Sequence, residues 1–301
     1  MSAIHVLLRN SIDYAGLFPP AGLDMRAVVE NYADYQAGPR AWALGRLVLP
    51  VGRLSEFEAA AQPQLTAPAK GAWQLSVLLG DDVDRELALV ADFNRRHGSA
   101  ACIDSLELKA ASVPALSNAV GQIPPHLQAY IEIPIGGDPR GLIAAIAQSG
   151  RRAKVRTGGV TPEAFPAAAD LIQFIRTCIQ ARVPFKATAG LHHPLRAEYR
   201  LTYAPDSPRG VMFGFLNLFL TAAFLQAGLH QRDAQRLLEE TSLDAFQLEE
   251  ESVHWNGNHL GLGDLRRSRQ DVLTSFGACS FTEPLEDLQS LHLLDSSVPQ
   301  R

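Results

Sequence analysis

Short apolar runs alternate with longer amphipathic stretches over the first two thirds of the chain. Leu44 to Val51 (LGRLVLPV), Trp73 to Leu79 (WQLSVLL), Ile103 to Lys109 (IDSLELK), Ala129 to Ile135 (AYIEIPI), Ala153 to Thr157 (AKVRT) and Val183 to Ala187 (VPFKA) read as strands. Helical stretches follow them: one beginning at Glu56 to Ala61, then Asp81 to Arg96, Pro114 to Val120, Pro139 to Gln148, and Thr161 to Ala181. The second carries acidic residues in its first turn, where the helix dipole favours them. The last is expected to start with Thr161 as its N-cap, Pro162 in the first turn and Glu163 after it. Strand–helix pairs recurring about every 25 to 30 residues predict parallel βαβ units. With Ile12 to Leu17 as a further strand, the economical reading is an α/β fold, a (β/α)8 TIM-type barrel forming one domain over residues 1–301. An open doubly wound sheet fits less well, since no GxGxxG follows a first strand.

The pattern changes after residue 200. Gly210 to Leu229 (GVMFGFLNLFLTAAFLQAGL) is apolar nearly all round. Its length would cross a bilayer, but Asn217, Thr221 and Gln226 interrupt it and no polybasic flank sets an orientation. A helix buried in the barrel shell or in a homo-oligomer interface is the expected state. Gln231 to Glu240 reads as a polar helix and Ala245 to Trp255 as a candidate last strand. Asn256 to Gly263 and Ser275 to Pro284 read as loops on either side of a helix from Asp264 to Leu273. Residues 200–301 are thus expected to be a helical and loop extension that completes or caps the barrel.

Charge and composition narrow the function classes. Lys plus Arg is 27 and Asp plus Glu 32, a net charge of −5, which supplies no general attraction to nucleic acid or an anionic membrane. A 47% hydrophobic content excludes disorder over most of the chain. Cys102, Cys178 and Cys279 lie far apart without a CxxC, so neither a disulfide framework nor a thiolate zinc site is expected. That usage, and the absence of an export signal in MSAIHVLLRNSIDYAG, fits a cytoplasmic protein. Only four of the 27 basic residues are lysines: Lys70, Lys109, Lys154 and Lys186. A guanidinium stays protonated, whereas an amine can be tuned into a nucleophile, so these lysines are candidates for chemistry that arginine cannot perform. Lys70, in the polar stretch AQPQLTAPAKG, reads as a surface residue.

The active site of a parallel barrel lies at the C-terminal ends of its strands. There stand Lys109 with Glu107 two positions before it, Glu132 in AYIEIP, Lys154 and Arg156 on one face of AKVRTGG, and Lys186 and Thr188 on one face of PFKATAG. Charges converging on a small space need partners. Two ammonium groups brought together lower each other's pKa, as a Schiff-base lysine requires. The bland alternative is a pair of rim lysines in salt bridges.

AKVRTGG (Ala153 to Gly159) resembles the sixth-strand K-x-x-T-G segment of deoxyribose-phosphate aldolases, and FKATAGL (Phe185 to Leu191) resembles their seventh-strand K-A-S-G-G segment. The resemblance spans about residues 10 to 195. It implies a class I aldolase in which Lys154 forms the Schiff base, Lys186 depresses its pKa, and a carboxylate on the fourth strand handles protons. Asp104 is the match by order and Glu107 by the alternating polar face. Glu132 stands where the family's fifth strand has an acidic residue, and Asp13 where its first strand has one. No cofactor is implied, because the imine itself is the electron sink. The substrate would be a small carbonyl compound, with Arg156 binding a carboxylate or phosphate, or pairing with Glu132, and with Thr157, Thr188, His192, Lys109 and Asp13 as further contacts. The family's phosphate-gripping glycine loops after the seventh and eighth strands are not recognisable. GLHHP (Gly190 to Pro194), Arg196 and Arg200 stand there instead, which implies a different specificity.

Two other readings compete. A metal-dependent lyase or isomerase would use Glu132, His192 and Glu107, with His254 or His259 in reach. Neighbouring His192 and His193 point opposite ways in an extended segment, and no HxH or HExxH spacing supports the metal. A barrel without catalysis, serving as a binding scaffold, is the third. Cys279 in SFGACSF has no base near it in sequence and reads as a small buried residue.

Overall fold

The computed structural model describes residues 2–66 and 72–295. Lys70 lies outside the described residues. The chain runs through α1 (Ala3–Leu8), β1 (Ile12–Tyr14), α2 (Met25–Ala37), β2 (Leu44–Pro50), α3 (Leu54–Ala60), α4 (Gln62–Thr66), β3 (Trp73–Leu78), α5 (Val83–His97), β4 (Ala101–Lys109), α6 (Val113–Val120), β5 (Gln128–Glu132), α7 (Arg140–Gln148), β6 (Arg152–Arg156), α8 (Ala168–Ala181) and β7 (Phe185–Thr188). It continues through β8 (Ala197–Arg200), β9 (Arg209–Met212), α9 (Phe215–Gln226), α10 (Gln231–Leu238), β10 (Phe246–Leu248), β11 (Ser252–Trp255), β12 (Asn258–Gly261), α11 (Leu262–Asp271), β13 (Leu273–Ala278) and α12 (Thr282–Ser290). Strands β1 to β7 and β13 close into a parallel barrel in the order β1-β13-β7-β6-β5-β4-β3-β2. The fold is the expected (β/α)8 barrel.

Local chemistry explains most of the shell. Asp24 caps α2 by accepting from the Ala27 amide at 2.8 Å, and Ser112 caps α6 by accepting from Ala115. On the strands, outward apolar residues such as Leu106, Ile131, Val155 and Ala187 are buried under the helices, while inward positions carry the polar groups of the site.

The C-terminal third departs from the sequence reading. The eighth strand is Leu273–Ala278, within a stretch expected to be helix end and loop; Ala245 to Trp255 does not close the barrel but supplies β10 and β11 of a separate antiparallel sheet with β12. Strand β13 (LTSFGA) is short and lacks alternation, because its inward side must be small. A side chain at Gly277 would place Cβ 2.9 Å from Thr188 Oγ1 on β7. The expected Asn256 to Gly263 loop is a tight turn at Asn256–Gly257 followed by β12, and both turn residues have positive φ. Thr161 caps no long helix: Pro162–Ala164 is a single 3-10 turn and α8 begins only at Ala168, after Pro166.

Helix α9 is buried on all sides, as its composition predicts. Phe215 and Phe219 pack on Phe276 of β13, and α8, α10 and α11 cover the rest. Its apolar faces are thus covered within one chain. Asn217, which interrupts the apolar run, accepts from the Arg196 amide and donates to the Leu237 and Glu240 carbonyls, all at 2.9 Å. Among the described residues no helix is long and apolar enough to cross a membrane.

Candidate active site

Parallel pairing sets Glu132, Lys154, Lys186 and Ser275 side by side on β5, β6, β7 and β13, each the Cα partner of the next. All four point inward. Two neighbouring ammonium groups in register repel, and the barrel answers with a carboxylate from β4, two strands from β6 and three from β7. Glu107 on β4 reaches between them, with Oε2 2.7 Å from Lys154 Nζ and Oε1 2.7 Å from Lys186 Nζ. Ser76 of β3 donates to Glu107 Oε1 at 2.8 Å. Lys186 also donates to Asp13 Oδ2 at 2.5 Å. Asp13 in turn accepts from the Ser275 hydroxyl and the Arg46 amide, both at 2.9 Å. Lys154 Nζ is 2.8 Å from Glu132 Oε2, close enough for an ion pair but not aligned for a hydrogen bond.

These five side chains carry two positive and three negative formal charges, and the most open of them, Glu132, is 8% exposed. Burial resists ionisation of Glu107, but the two ammonium groups outweigh it and hold the carboxyl well below the usual range. Burial likewise works against a charged Lys186, and Asp13 and Glu107 outweigh it, so this ammonium is held charged well above its ordinary range. The lysines therefore do not confront each other bare. Glu107 touches both amines, and Asp13 touches Lys186 alone.

Above this cluster opens a cavity of about 340 Å³ at the C-terminal end of the strands. Lys154, Glu107 and Glu132 lie at its floor. Lys109, Arg156, Thr188 and His192 line its walls and rim. Lys186 and Asp13 are not in the lining; they sit underneath, 1% exposed each. Lys109 is mostly solvated, 3.9 Å from Glu132. Arg156 makes no ion pair or hydrogen bond among the described residues, and in particular none to Glu132.

Two candidates are placed elsewhere. Asp104 is the extra residue of a register shift between β3 and β4 and binds the Arg46 guanidinium bidentately, both bonds 2.7 Å. It lies three residues, about 10 Å, below Glu107 along the strand. Between the two carboxylates left open for the fourth strand, Glu107 is the one at the lysines. Thr157 is fully buried, and its hydroxyl donates to the Ala189 carbonyl at 2.7 Å, tying β6 to the loop after β7. It is not among the cavity-lining residues. That loop needs Gly190, at φ +71°, where a Cβ would lie 2.7 Å from the Phe165 ring and 3.0 Å from Gly158 Cα.

His192 and His193 diverge as alternation requires. His193 bonds Asp287 at 2.6 Å and stacks on Tyr199, away from the cavity. His192 Nδ1 bonds Glu283 Oε2 of α12 at 2.9 Å and lies 4.0 Å from Cys279 Sγ. Tyr203 donates to the same Glu283 oxygen and lies 3.7 Å from Cys279. Burial would lower the His192 pKa, but Cys279 and Glu283 outweigh it and raise it to about 9. Cys279, which the sequence isolates from any base, thus stands beside one in space, in the wall of the same cavity. Only the position of β13 shows this neighbourhood. His254 and His259 pair across β11 and β12 outside the barrel. Among the described residues no three His, Cys, Asp or Glu side chains are arranged to hold a metal ion: Glu107 and Glu132 face lysines, and His192 faces Glu283.

The chain matches no protein-family model and no curated protein.

Proposed function

We propose that this barrel is a class I aldolase-type lyase in which Lys154 forms an imine with a small carbonyl substrate. The reading rests on one observation: a buried lysine amine at the floor of the mouth cavity, held between two carboxylates and backed by a second lysine. Glu132 lines the cavity and has acceptor capacity to spare, so it takes the proton from the Lys154 ammonium. The neutral amine adds to the carbonyl carbon. The carbonyl oxygen leaves as water, giving an iminium with the charge of the ammonium it replaced. The ion pairs to Glu107 and Glu132 therefore carry over to the intermediate, and the surplus negative charge of the cluster stabilises it. Glu132, free again once water has left, takes the β-hydroxyl proton; the adjacent carbon–carbon bond breaks, the new carbonyl fragment departs, and the electron pair enters the C–N system as an enamine. Protonation at carbon and hydrolysis by water release the product and the amine. Lys186 acts beneath the reacting atoms, holding Glu107 and Asp13 in place.

Borohydride reduction with a panel of small aldehydes and ketones, read by intact mass and peptide mapping, tests this. A single reduced adduct on Lys154, lost in Lys154→Arg, is the expected result. A panel that leaves Lys154 unmodified, or an adduct spread over exposed Lys109 instead, contradicts the assignment.

A further inference from the structure

We propose that the carbonyl compound taken by this cavity is a 2-oxo acid, with its carboxylate held by Arg156. The proposal rests on the imine reading of Lys154 and names the substrate class for that site. Arg156 stands two residues beyond Lys154 on β6, so the two side chains share a face about 6.6 Å apart along the strand. Both line the same cavity. At the floor Lys154 is already paired with Glu107 and Glu132, whereas the Arg156 fork has no anionic partner among the described residues. Thr188, its Cα partner on β7, lines the same wall and adds a hydroxyl. A planar guanidinium matches a planar carboxylate with two parallel hydrogen bonds.

The alternative anion is a phosphate. Barrels commonly seat one on backbone amides of the loops after the seventh and eighth strands, at the N-terminus of a short helix. Here those loops bring His192, Cys279 and α12, and the first turn of α12 presents Glu283 to His192. A phosphate dianion placed there would confront that carboxylate. Of the basic side chains in the lining, Lys109 and Lys154 stand at Glu132 and His192 at Glu283, which leaves the Arg156 fork on the wall, one side-chain layer above the imine lysine. That separation suits a carboxylate joined directly to the carbonyl carbon.

The test compares pyruvate with acetone, its neutral counterpart, in borohydride trapping on the full chain, and measures pyruvate and inorganic phosphate binding by calorimetry without borohydride. The wild type should reach half-maximal labelling of Lys154 at a pyruvate concentration at least tenfold below that of acetone. Arg156→Gln should remove that preference while labelling by acetone persists; Arg156 is exposed, so the variant should fold. Equal labelling by both ketones, or a preference untouched by Arg156→Gln, overturns the carboxylate site and leaves the imine reading standing. Arg156-dependent binding of pyruvate without labelling of Lys154 supports the carboxylate site and refutes the imine. Phosphate binding tighter than pyruvate and dependent on Arg156 overturns the 2-oxo acid in favour of a phosphorylated substrate. No binding and no labelling refutes both.

Discussion

Replacing Lys186 with methionine keeps most of the side-chain volume and removes the cation that Asp13 and Glu107 share beneath the cavity. Lys186 is 1% exposed, and its amine lies 2.5 Å from Asp13 and 2.7 Å from Glu107. Water cannot replace it. Removing one partner of a buried ion pair costs about 3–5 kcal/mol because the remaining charge is stranded. Two carboxylates are stranded here, though Glu107 keeps Lys154 and Asp13 keeps the Ser275 hydroxyl and the Arg46 amide, so the same range is the expected loss near pH 7.5. Against a typical folding stability of 5–15 kcal/mol, the variant should still fold. Urea unfolding followed by circular dichroism would read the loss as a lowered midpoint at constant slope.

The pH dependence separates this account from simple loss of packing. In the wild type the carboxyl of Glu107 is held below its ordinary range, so its contribution is present above the unfolded value and is lost only as pH falls through the folded one. Without Lys186 the Glu107 pKa rises, and acid then neutralises a stranded charge. The gap between variant and wild type should therefore shrink from pH 8 to pH 5. Adding Asp13→Asn to Lys186→Met should return part of the loss. A cost below about 1 kcal/mol, or one independent of pH, would refute the description of Lys186 as a buried counter-ion. A control at the exposed Arg26–Glu30 pair should leave the midpoint in place.

Other consequences follow from the cavity wall and its loops. The pKa of His192 is raised above its unfolded value of 6.5 to about 9, so its stabilisation is complete below pH 6.5 and is lost as pH rises through 9. That difference is on the order of 3 kcal/mol, and Glu283→Gln should flatten part of this slope in unfolding midpoints collected from pH 6 to 10, Cys279 supplying the rest. Gly190→Ala forces a Cβ against Phe165 and Gly158 at a positive φ; it should cost about 1–3 kcal/mol in thermal unfolding and weaken ligand binding at the β7 loop. Thr157→Val removes the hydroxyl that ties β6 to the Ala189 carbonyl and should cost about 1 kcal/mol.

The barrel and the lysine-bearing strands were legible because both depend on local pattern. Each strand from β2 to β7 carries a short apolar run, and in AKVR and FKAT the polar residues fall on alternate positions, so Lys154 and Lys186 announce themselves as inward. Strand β13 was not legible, since Ser275 and Gly277 must be small to fit beside Lys186 and Thr188, and smallness erases the alternation that marks a strand. The pairing of Cys279 with His192 was hidden for the same reason: the two residues meet only through the closure of β13 against β7. Asp104 is the acid that matches by order, but it is the extra residue of the register shift between β3 and β4 and faces Arg46, whereas the alternating polar face points to Glu107.

What the sequence pattern could not supply is which acids meet which lysine. Their strand positions put them in register on adjacent strands, and repulsion alone would make each a weaker base. For Lys186, strand order decides otherwise. With β4 placed three strands from β7, Glu107 crosses the lumen and lands on both amines, while Asp13 on β1 reaches Lys186 but not Lys154. The consequence is a division of labour that neither lysine motif contains. Lys186 is enclosed by two carboxylates below the cavity and is fixed as a cation. Lys154 shares one carboxylate with it and has its second, Glu132, at the cavity wall. A proton leaving Lys154 thus has an unshared acceptor, Glu132, beside the substrate space, whereas the acceptors at Lys186 are Asp13 below the cavity and Glu107, which Lys154 also holds. The imine proposed for Lys154 therefore draws its support from the placement of the acids rather than from repulsion between the bases.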